Sequence, residues 1–104
     1  MNKYSIQLSI EAKNDLKRII SYIKNELREP VIAKKYANLI KQEIKILEYM
    51  PQKFSVIDSE VLKDNNFRKI VIKNYIVFYR VNEESRIVNI ERILYGKTDW
   101  QSIL

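Results

Sequence analysis

The strongest constraint on the fold lies in residues 9–50, where apolar residues recur every three or four positions on both sides of Pro30. Such spacing places them on one face of an α-helix. The hydroxyl of Ser9 can cap the first helix, and Pro30 suits the first turn of the second, where a missing N–H costs nothing. The connection between the helices is short, which predicts an antiparallel helical hairpin that ends before Pro51. The inward residues are Ala12, Leu16, Ile19, Ile20, Ile23 and Leu27 in the first helix, and Ala33, Tyr36, Ala37, Ile40, Ile44 and Leu47 in the second.

Strand patterns lie on both sides of the hairpin. Residues 4–8 alternate apolar with polar, which predicts a short first strand. Three runs rich in β-branched and aromatic residues, at 67–72, 75–81 and 86–95, are separated by short polar segments and predict an antiparallel meander. The expected fold class is therefore α+β, with an N-terminal strand and a helical hairpin packed on one face of a three-stranded meander.

Length and composition limit the remaining possibilities. A chain of 104 residues predicts one domain over 1–104, with a loop at 51–66 where the periodicity is weak. The absence of cysteine and histidine excludes disulfides, zinc-thiolate sites and the commonest general base, so we expect no metal and no cofactor. No apolar run approaches the roughly 18 residues of a membrane span, and no secretory signal is recognisable, which predicts a cytoplasmic protein without a membrane partner.

The net charge of +6 favours an anionic partner, either nucleic acid or an acidic protein. Many soluble proteins carry such an excess without binding polyanions. Charge alone therefore leaves both interpretations open.

The second predicted strand of the meander is apolar on both faces. One face carries Tyr75, Val77, Tyr79 and Val81, and the other carries Ile76, Phe78 and Arg80. A helical hairpin in so small a domain covers one face of a sheet, so we infer that a protein partner covers the other. The alternative is that the 51–66 loop or a second copy of the chain covers it.

Ordered motifs along nearly the whole chain resemble the RelE/ParE toxin superfamily, and its ParE-like branch most. They are Tyr4-x-Ile6, Ser9-x-x-Ala12-x-x-Asp15-Leu16, Pro30-x-x-Ala33-x-x-Tyr36, the run at 74–81, and Val88-x-Ile90-x-Arg92-Ile93-Leu94-Tyr95-Gly96-Lys97-x-Asp99-Trp100. The resemblance implies the toxin of a type II toxin-antitoxin system, neutralised by a wrapping acidic antitoxin in a hetero-oligomer. The expected antitoxin contacts are Tyr75, Val77 and Tyr79.

The RelE-like branch implies cleavage of messenger RNA on the ribosome, without a metal. Such a reaction needs a base, stabilisation of the phosphate charge and a proton donor. The candidates are Lys69 or Lys73 as the base, Arg68 or Arg80 for the phosphate, and Tyr95 as proton donor or stacking partner. Strand parity places Arg68 and Lys69 on opposite faces, so the four cations cannot all point into one pocket. Thr98 also stands where the nuclease branch usually carries an arginine.

The ParE-like branch implies inhibition of DNA gyrase, and we favour it over the nuclease and over an inactive or regulatory relative. The expected target contacts are Arg92, Lys97, Asp99 and Trp100, near the closing segment. The structural alternative is that Trp100 packs on the sheet and Asp99 caps a final turn. Gly96 is the only glycine in the chain, and we expect it to supply a backbone angle that other residues avoid.

Overall fold

The computed structural model describes residues 3–57 and 66–104 and confirms the expected α+β fold. Along the chain it contains β1 (Ser5–Leu8), α1 (Ile10–Ser21), a π-helical segment (Tyr22–Glu26), α2 (Pro30–Ile46), β2 (Arg68–Ile72), β3 (Tyr75–Asn82), β4 (Ile87–Tyr95) and α3 (Trp100–Ile103). Within the described ranges, no helix is both long and apolar enough to cross a bilayer.

The four strands form one sheet in the order β1-β4-β3-β2. Strands β2, β3 and β4 form the predicted antiparallel meander, while β1 adds parallel to β4, with Ser5 opposite Ile87. The β3–β4 register shifts where Phe78 faces Arg92 and Tyr79 faces Ile90, which leaves Glu91 as a bulge in β4. Part of the loop predicted at 51–66, namely residues 58–65, lies outside the described residues.

The helical hairpin covers one face of the sheet. The Ser9 hydroxyl accepts a hydrogen bond from the Ala12 amide at 2.9 Å and so starts α1, and Pro30 opens α2 as predicted. The hairpin-side core consists of buried residues from β2, β3, β4, the two helices and their flanking segments. These residues are Ala12, Ile19, Ile23, Ala33, Ile40, Ile44, Leu47, Ile70, Ile72, Val77, Tyr79, Val88, Ile90 and Ile93.

The π-helical segment changes what the end of the first helix buries. Sequence spacing predicts Leu27 on the inward face with Ile23, but Leu27 is 51% exposed while Ile23 is buried. The Leu27 amide bonds to the carbonyl of Tyr22, five residues earlier, at 3.1 Å. Because this wider turn holds more residues than an α-helical turn, a side chain four positions after Ile23 no longer lies on the same face.

The centre of the other face of the sheet is covered by the chain itself, which corrects the expectation that an outside partner covers it. Its far-side cluster consists of Ile57, Phe67, Ile76, Phe78 and Leu94, with Trp100 and Leu104 packed against it. The Ile57 amide donates a hydrogen bond to the Phe67 carbonyl at 2.7 Å, and this bond holds Ile57 against the sheet. The alternative that the loop covers this face is therefore correct in part, and Trp100 and Leu104 add to the cover.

Candidate functional site

The outer edge of β4 is where α1 joins the sheet. Strand β1 ends opposite Ile90. Beyond that point, Ser9 and Asp15 bind the backbone groups of β4 that no neighbouring strand reaches. Ser9 donates its amide to the Ile90 carbonyl at 2.9 Å and its hydroxyl to the Glu91 carbonyl at 2.8 Å. Further along, the Ile93 amide donates to Asp15 at 2.9 Å. The helix thus satisfies backbone groups that would otherwise be unpaired at a strand edge.

Asp15 is a buried carboxylate that binds two guanidinium groups. It accepts Arg92 Nε at 2.8 Å and Nη2 at 2.9 Å, and Arg18 Nη2 at 3.0 Å, while only 3% of it is exposed. Its hydrogen bond to Arg92 raises the pKa of that guanidinium. The predicted target contact Arg92 is therefore engaged in a bidentate pair inside the protein.

A groove of about 740 Å³ lies beside this pair. It is lined by Asp15, Arg18, Ile19, Tyr22, Asn74, Tyr75, Arg92, Ile93, Leu94, Tyr95 and Ile103. Three of its apolar side chains are well exposed, with Tyr22 at 53%, Tyr95 at 45% and Ile103 at 41%. The π-helical segment, β4 and α3 therefore each contribute an exposed apolar surface to one concave site.

Of the three predicted antitoxin contacts, Tyr75 alone reaches this groove. Its ring makes edge contacts with Tyr36 at 6.0 Å and with Tyr95 at 5.9 Å, and its burial raises its pKa. Val77 and Tyr79 are fully buried beneath the hairpin, so their assignment as antitoxin contacts is corrected. The helices cover the face of β3 that carries Val77 and Tyr79. Sequence patterning does not distinguish this face from the opposite one, because both are apolar.

Tyr79 is a polar group inside the hairpin-side core. Its hydroxyl donates to the Pro51 carbonyl at 2.9 Å, which supplies the partner that a buried phenol needs. Burial raises the pKa of Tyr79 to about 12. This side chain fastens the loop after α2 to the sheet.

Three of the predicted catalytic residues are each held by a different partner within the chain. Arg68 donates to the carbonyl of Phe54. Lys69 lies 5.5 Å above the ring of Trp100. Arg80 pairs with Glu91, with Nε and Oε2 2.9 Å apart, and stacks 4.9 Å from the ring of Phe67. Each cation thus has an intramolecular partner, and the three do not form one site.

Two other catalytic candidates do come together. Lys73 and Tyr95 line a pocket of about 180 Å³ with the predicted target contact Lys97. Gly96 lies in the same wall, and its backbone φ is not positive, which corrects the expected reason for a glycine. A Cβ there would stand 3.2 Å from the Asn74 carbonyl oxygen, to which the Gly96 amide donates at 2.7 Å. Close approach of two backbones therefore explains this glycine.

In the closing segment, residues 96–100, one of the predicted target contacts packs on the sheet and two are exposed. Trp100 packs on Phe78 with ring centroids 5.2 Å apart, as the structural alternative expected. The side chain of Asp99 makes no capping hydrogen bond at the start of α3, so the expected cap is absent there. Lys97 and Asp99 are exposed, which leaves both available to a partner.

Sequence reasoning missed most of the groove. Asp15 lies between Ala12 and Ile19 on the inward face of α1, and a carboxylate on an otherwise apolar face is a signal for a buried charge pair. Arg18 and Tyr22 carry no such signal, because their place beside β4 depends on how the helix docks.

Comparisons with known proteins agree with this architecture. The family described as "ParE toxin of type II toxin-antitoxin system, parDE" matches residues 6–100. The structure is similar to a chromosomal ParDE system from P. aeruginosa, at 21% identity over 93% of this chain and 100% of that one, with a TM-score of 0.75. It is also similar to a RelE-RelB complex from Pyrococcus horikoshii, at 20% identity over 93% and 98% of the two chains, with a TM-score of 0.64.

A RelBE toxin-antitoxin complex from Mycobacterium tuberculosis is a third structural relative, at 18% identity over 89% of this chain and 98% of that one, with a TM-score of 0.63. No curated protein matches the sequence significantly. Likeness at these identities establishes the shared fold, while the family match runs from β1 to the first residue of α3. The chain therefore belongs to the ParE toxin family of type II toxin-antitoxin systems.

Proposed function

We propose that this ParE-family toxin inhibits DNA gyrase by binding it, and that an acidic antitoxin neutralises the toxin. The observation that carries the choice of binding over catalysis is that the cationic candidates Arg68, Lys69 and Arg80 are each held by a different partner within the chain. The ParE family match supports gyrase as the target, because gyrase inhibition is what resemblance to this branch implies.

RNA cleavage would need a base, a phosphate-binding cation and a proton donor around one phosphate. Arg68 lies in register with Tyr79, on the hairpin side, whereas Lys69 lies opposite Phe78 on the far side. Arg80 is held by Glu91. Bringing these cations onto one phosphate would require breaking contacts that the fold makes, which favours a binding protein.

The exposed end of the meander is the surface we assign to the target. Lys73 and Lys97 line one pocket, Asp99 follows nearby in sequence, and Val71 beside them is 65% exposed. Exposed charges around an accessible apolar side chain are typical of protein interfaces with a polar rim. Contact through this surface leaves the hairpin-side core undisturbed.

A supercoiling assay tests this proposal. Purified toxin added to DNA gyrase and relaxed plasmid should abolish supercoiling, and Lys97→Gln should raise the concentration for half inhibition about fivefold, since a rim charge contributes on the order of 1 kcal/mol. Lys41→Gln, which removes an exposed lysine of α2, is the matched control and should inhibit like the wild type. Full supercoiling at toxin concentrations that stop growth would refute gyrase as the target.

One observation favours a second candidate, a ribosome-dependent ribonuclease. Lys73, Tyr95 and Lys97 share a pocket and together offer a base, a phosphate contact and a hydroxyl. Ribosomes translating a defined messenger RNA provide the test. Cleavage by the wild-type toxin that is lost in Tyr95→Phe would replace the gyrase proposal, and intact RNA would support it.

The proposed antitoxin is supported by the net charge of +6 and by the solved relatives, which are a ParDE system, a RelBE toxin-antitoxin complex and a RelE-RelB complex. Opposite charges attract the two chains and salt screens that attraction. We expect the association rate of toxin with antitoxin to fall at least tenfold between 50 and 500 mM salt, as stopped-flow fluorescence would measure. A rate independent of salt would contradict an acidic partner.

A further inference from the structure

We propose that the groove between α1 and the end of β4 binds an acidic segment of the antitoxin. One carboxylate of that segment pairs with Arg18, and an adjacent aromatic or aliphatic side chain packs against Tyr22 and Tyr95. The inference rests on the proposed antitoxin and identifies where and by what chemistry it is held.

The described lining of the groove holds two cations and one carboxylate, a charge pattern that favours an additional anion. Of the described residues that line it, Asp15 is the one carboxylate, and it is shared by Arg18 and Arg92. Arg92 uses Nε and Nη2 in that pair, whereas Arg18 uses Nη2 alone and its side chain is 71% exposed. The lining therefore carries one net positive charge, and Arg18 has N–H groups available to a second carboxylate.

The apolar side chains of the groove are also only partly covered by the protein. Tyr22, Tyr95 and Ile103 come from three separate elements and all line this one concavity while remaining 41–53% exposed. The tyrosine rings offer aromatic faces and edges to an incoming side chain. A volume of about 740 Å³ accommodates such a side chain together with a neighbouring carboxylate.

The backbone of β4 adds a donor at the same place. The Gly96 amide donates to the Asn74 carbonyl across the β3–β4 ladder, and the Ile93 amide donates to the Asp15 carboxylate at the outer edge of β4. Because N–H groups alternate in direction along an antiparallel strand, Tyr95 turns its N–H to the outer edge, past the end of β1. A partner backbone carbonyl can accept from it.

The groove also fits such a segment better than the pocket formed by Lys73 and Lys97. That pocket holds about 180 Å³, a quarter of the volume, and its cations are lysines on flexible stems. Arg18 instead already donates a hydrogen bond to Asp15, and this contact reduces the conformational freedom lost when it binds a carboxylate.

Short peptides provide a test that does not depend on toxicity. The full chain, labelled with ¹⁵N, would be titrated by NMR with acetyl-Phe-Glu-amide, acetyl-Phe-Gln-amide and acetyl-Ala-Glu-amide. We expect the Phe-Glu peptide to shift the amides of Tyr22, Tyr95 and Ile103, and to bind about threefold more tightly than either of the others, as one partly exposed ion pair or one ring contact permits.

Variants then separate the groove from general charge attraction. Arg18→Gln should abolish the threefold preference for Glu over Gln, while Lys13→Gln, which removes an exposed charge from the same helix, should preserve it. Shifts centred on Lys73 and Lys97, equal affinity for the three peptides, or absence of binding would each overturn the proposal.

The antitoxin itself is the second probe. Hydrogen exchange of the free toxin and of its complex with the antitoxin should show protection at Tyr22 and Tyr95, and exchange near Lys41 should be unchanged. Lack of protection at Tyr22 and Tyr95 would refute the groove as the docking site even if the toxin inhibits gyrase. Conversely, protection at Tyr22 and Tyr95 by a toxin that leaves gyrase active would refute the target alone.

Discussion

Both faces of β3 are apolar in sequence, but the two faces of the sheet are covered in different ways. On the hairpin side, α1 and α2 pack over a continuous core in which Val77, Tyr79 and Ile90 are fully buried. On the far side, Phe78 is just as buried, but its cover comes from single residues such as Ile57 and Trp100. The difference teaches that the helical hairpin builds the larger core, whereas a few residues of the loop after α2 and of the closing segment cover the far side.

The largest expected effect lies on the hairpin side. Ile40 is 1% exposed within α2, and Ile40→Ala should lower the free energy of unfolding by about 3–4 kcal/mol through lost burial and a cavity. Urea denaturation followed by circular dichroism measures this loss. A decrease below about 1 kcal/mol would mean that the hairpin does not dominate stability, and the contrast between the faces would disappear.

The junction between α1 and β4 should be nearly as sensitive. Asp15→Ala removes the acceptor of the Ile93 amide and the partner of Arg92, so we expect a loss of about 3 kcal/mol. Asp15→Asn retains an acceptor for that amide and should lose less. Equal losses for the two variants, measured by the same denaturation, would show that the Ile93 hydrogen bond contributes nothing beyond the charge pair.

The far side should be less sensitive. Trp100 packs on Phe78 but stays partly exposed, and Trp100→Ala should cost about 2 kcal/mol, well below Ile40→Ala. Thermal unfolding compares the two variants directly. If Trp100→Ala proved as damaging as Ile40→Ala, the short C-terminal helix would be part of the main core and the two faces would be equivalent.

The smallest effect depends on pH. Unfolded tyrosine ionises near pH 10, whereas burial raises the pKa of Tyr79 to about 12. The contribution of Tyr79 to the free energy of unfolding is therefore present below pH 10 and is lost as the pH rises from about 10 to 12. At pH 11 the loss should be about 1.4 kcal/mol. Tyr79→Phe should be less stable than the wild type at pH 8 and should lose less stability between pH 8 and pH 11. Parallel curves for the two proteins would show that Tyr79 does not titrate from the core.

Local patterns in the sequence predicted the elements but not their long-range partners. The helices at Ser9 and Pro30 and the three strands of the meander carry their own periodicity and capping residues, and each was found. The parallel pairing of β1 with β4 has no local signature, because nothing near Ser5 specifies Ile87. The exposure of Leu27 was likewise unpredictable from α-helical spacing, since a π-helical segment precedes it.

The candidate site was predicted less well than the fold. Lys73, Tyr95 and Lys97 were singled out and do meet in one pocket, whereas Val77 and Tyr79 proved to be core residues. The misassignment has a physical cause: both faces of β3 are apolar, and the cover of each face is set by tertiary packing. The groove beside Asp15 required knowing how α1 docks, which no spacing within the helix reveals.

The parallel pairing of β1 with β4 also sets the order in which the molecule can be completed. Synthesis from the N-terminus produces Ser5–Leu8 before the strand that receives it, Ile87–Tyr95, and both long helices and two strands are made between them. Until β4 is made, the nascent hairpin therefore lacks the complete sheet that buries its apolar side. Slow decoding of the segment before β4 prolongs that exposure, and misassociation of the nascent chain is then the competing outcome.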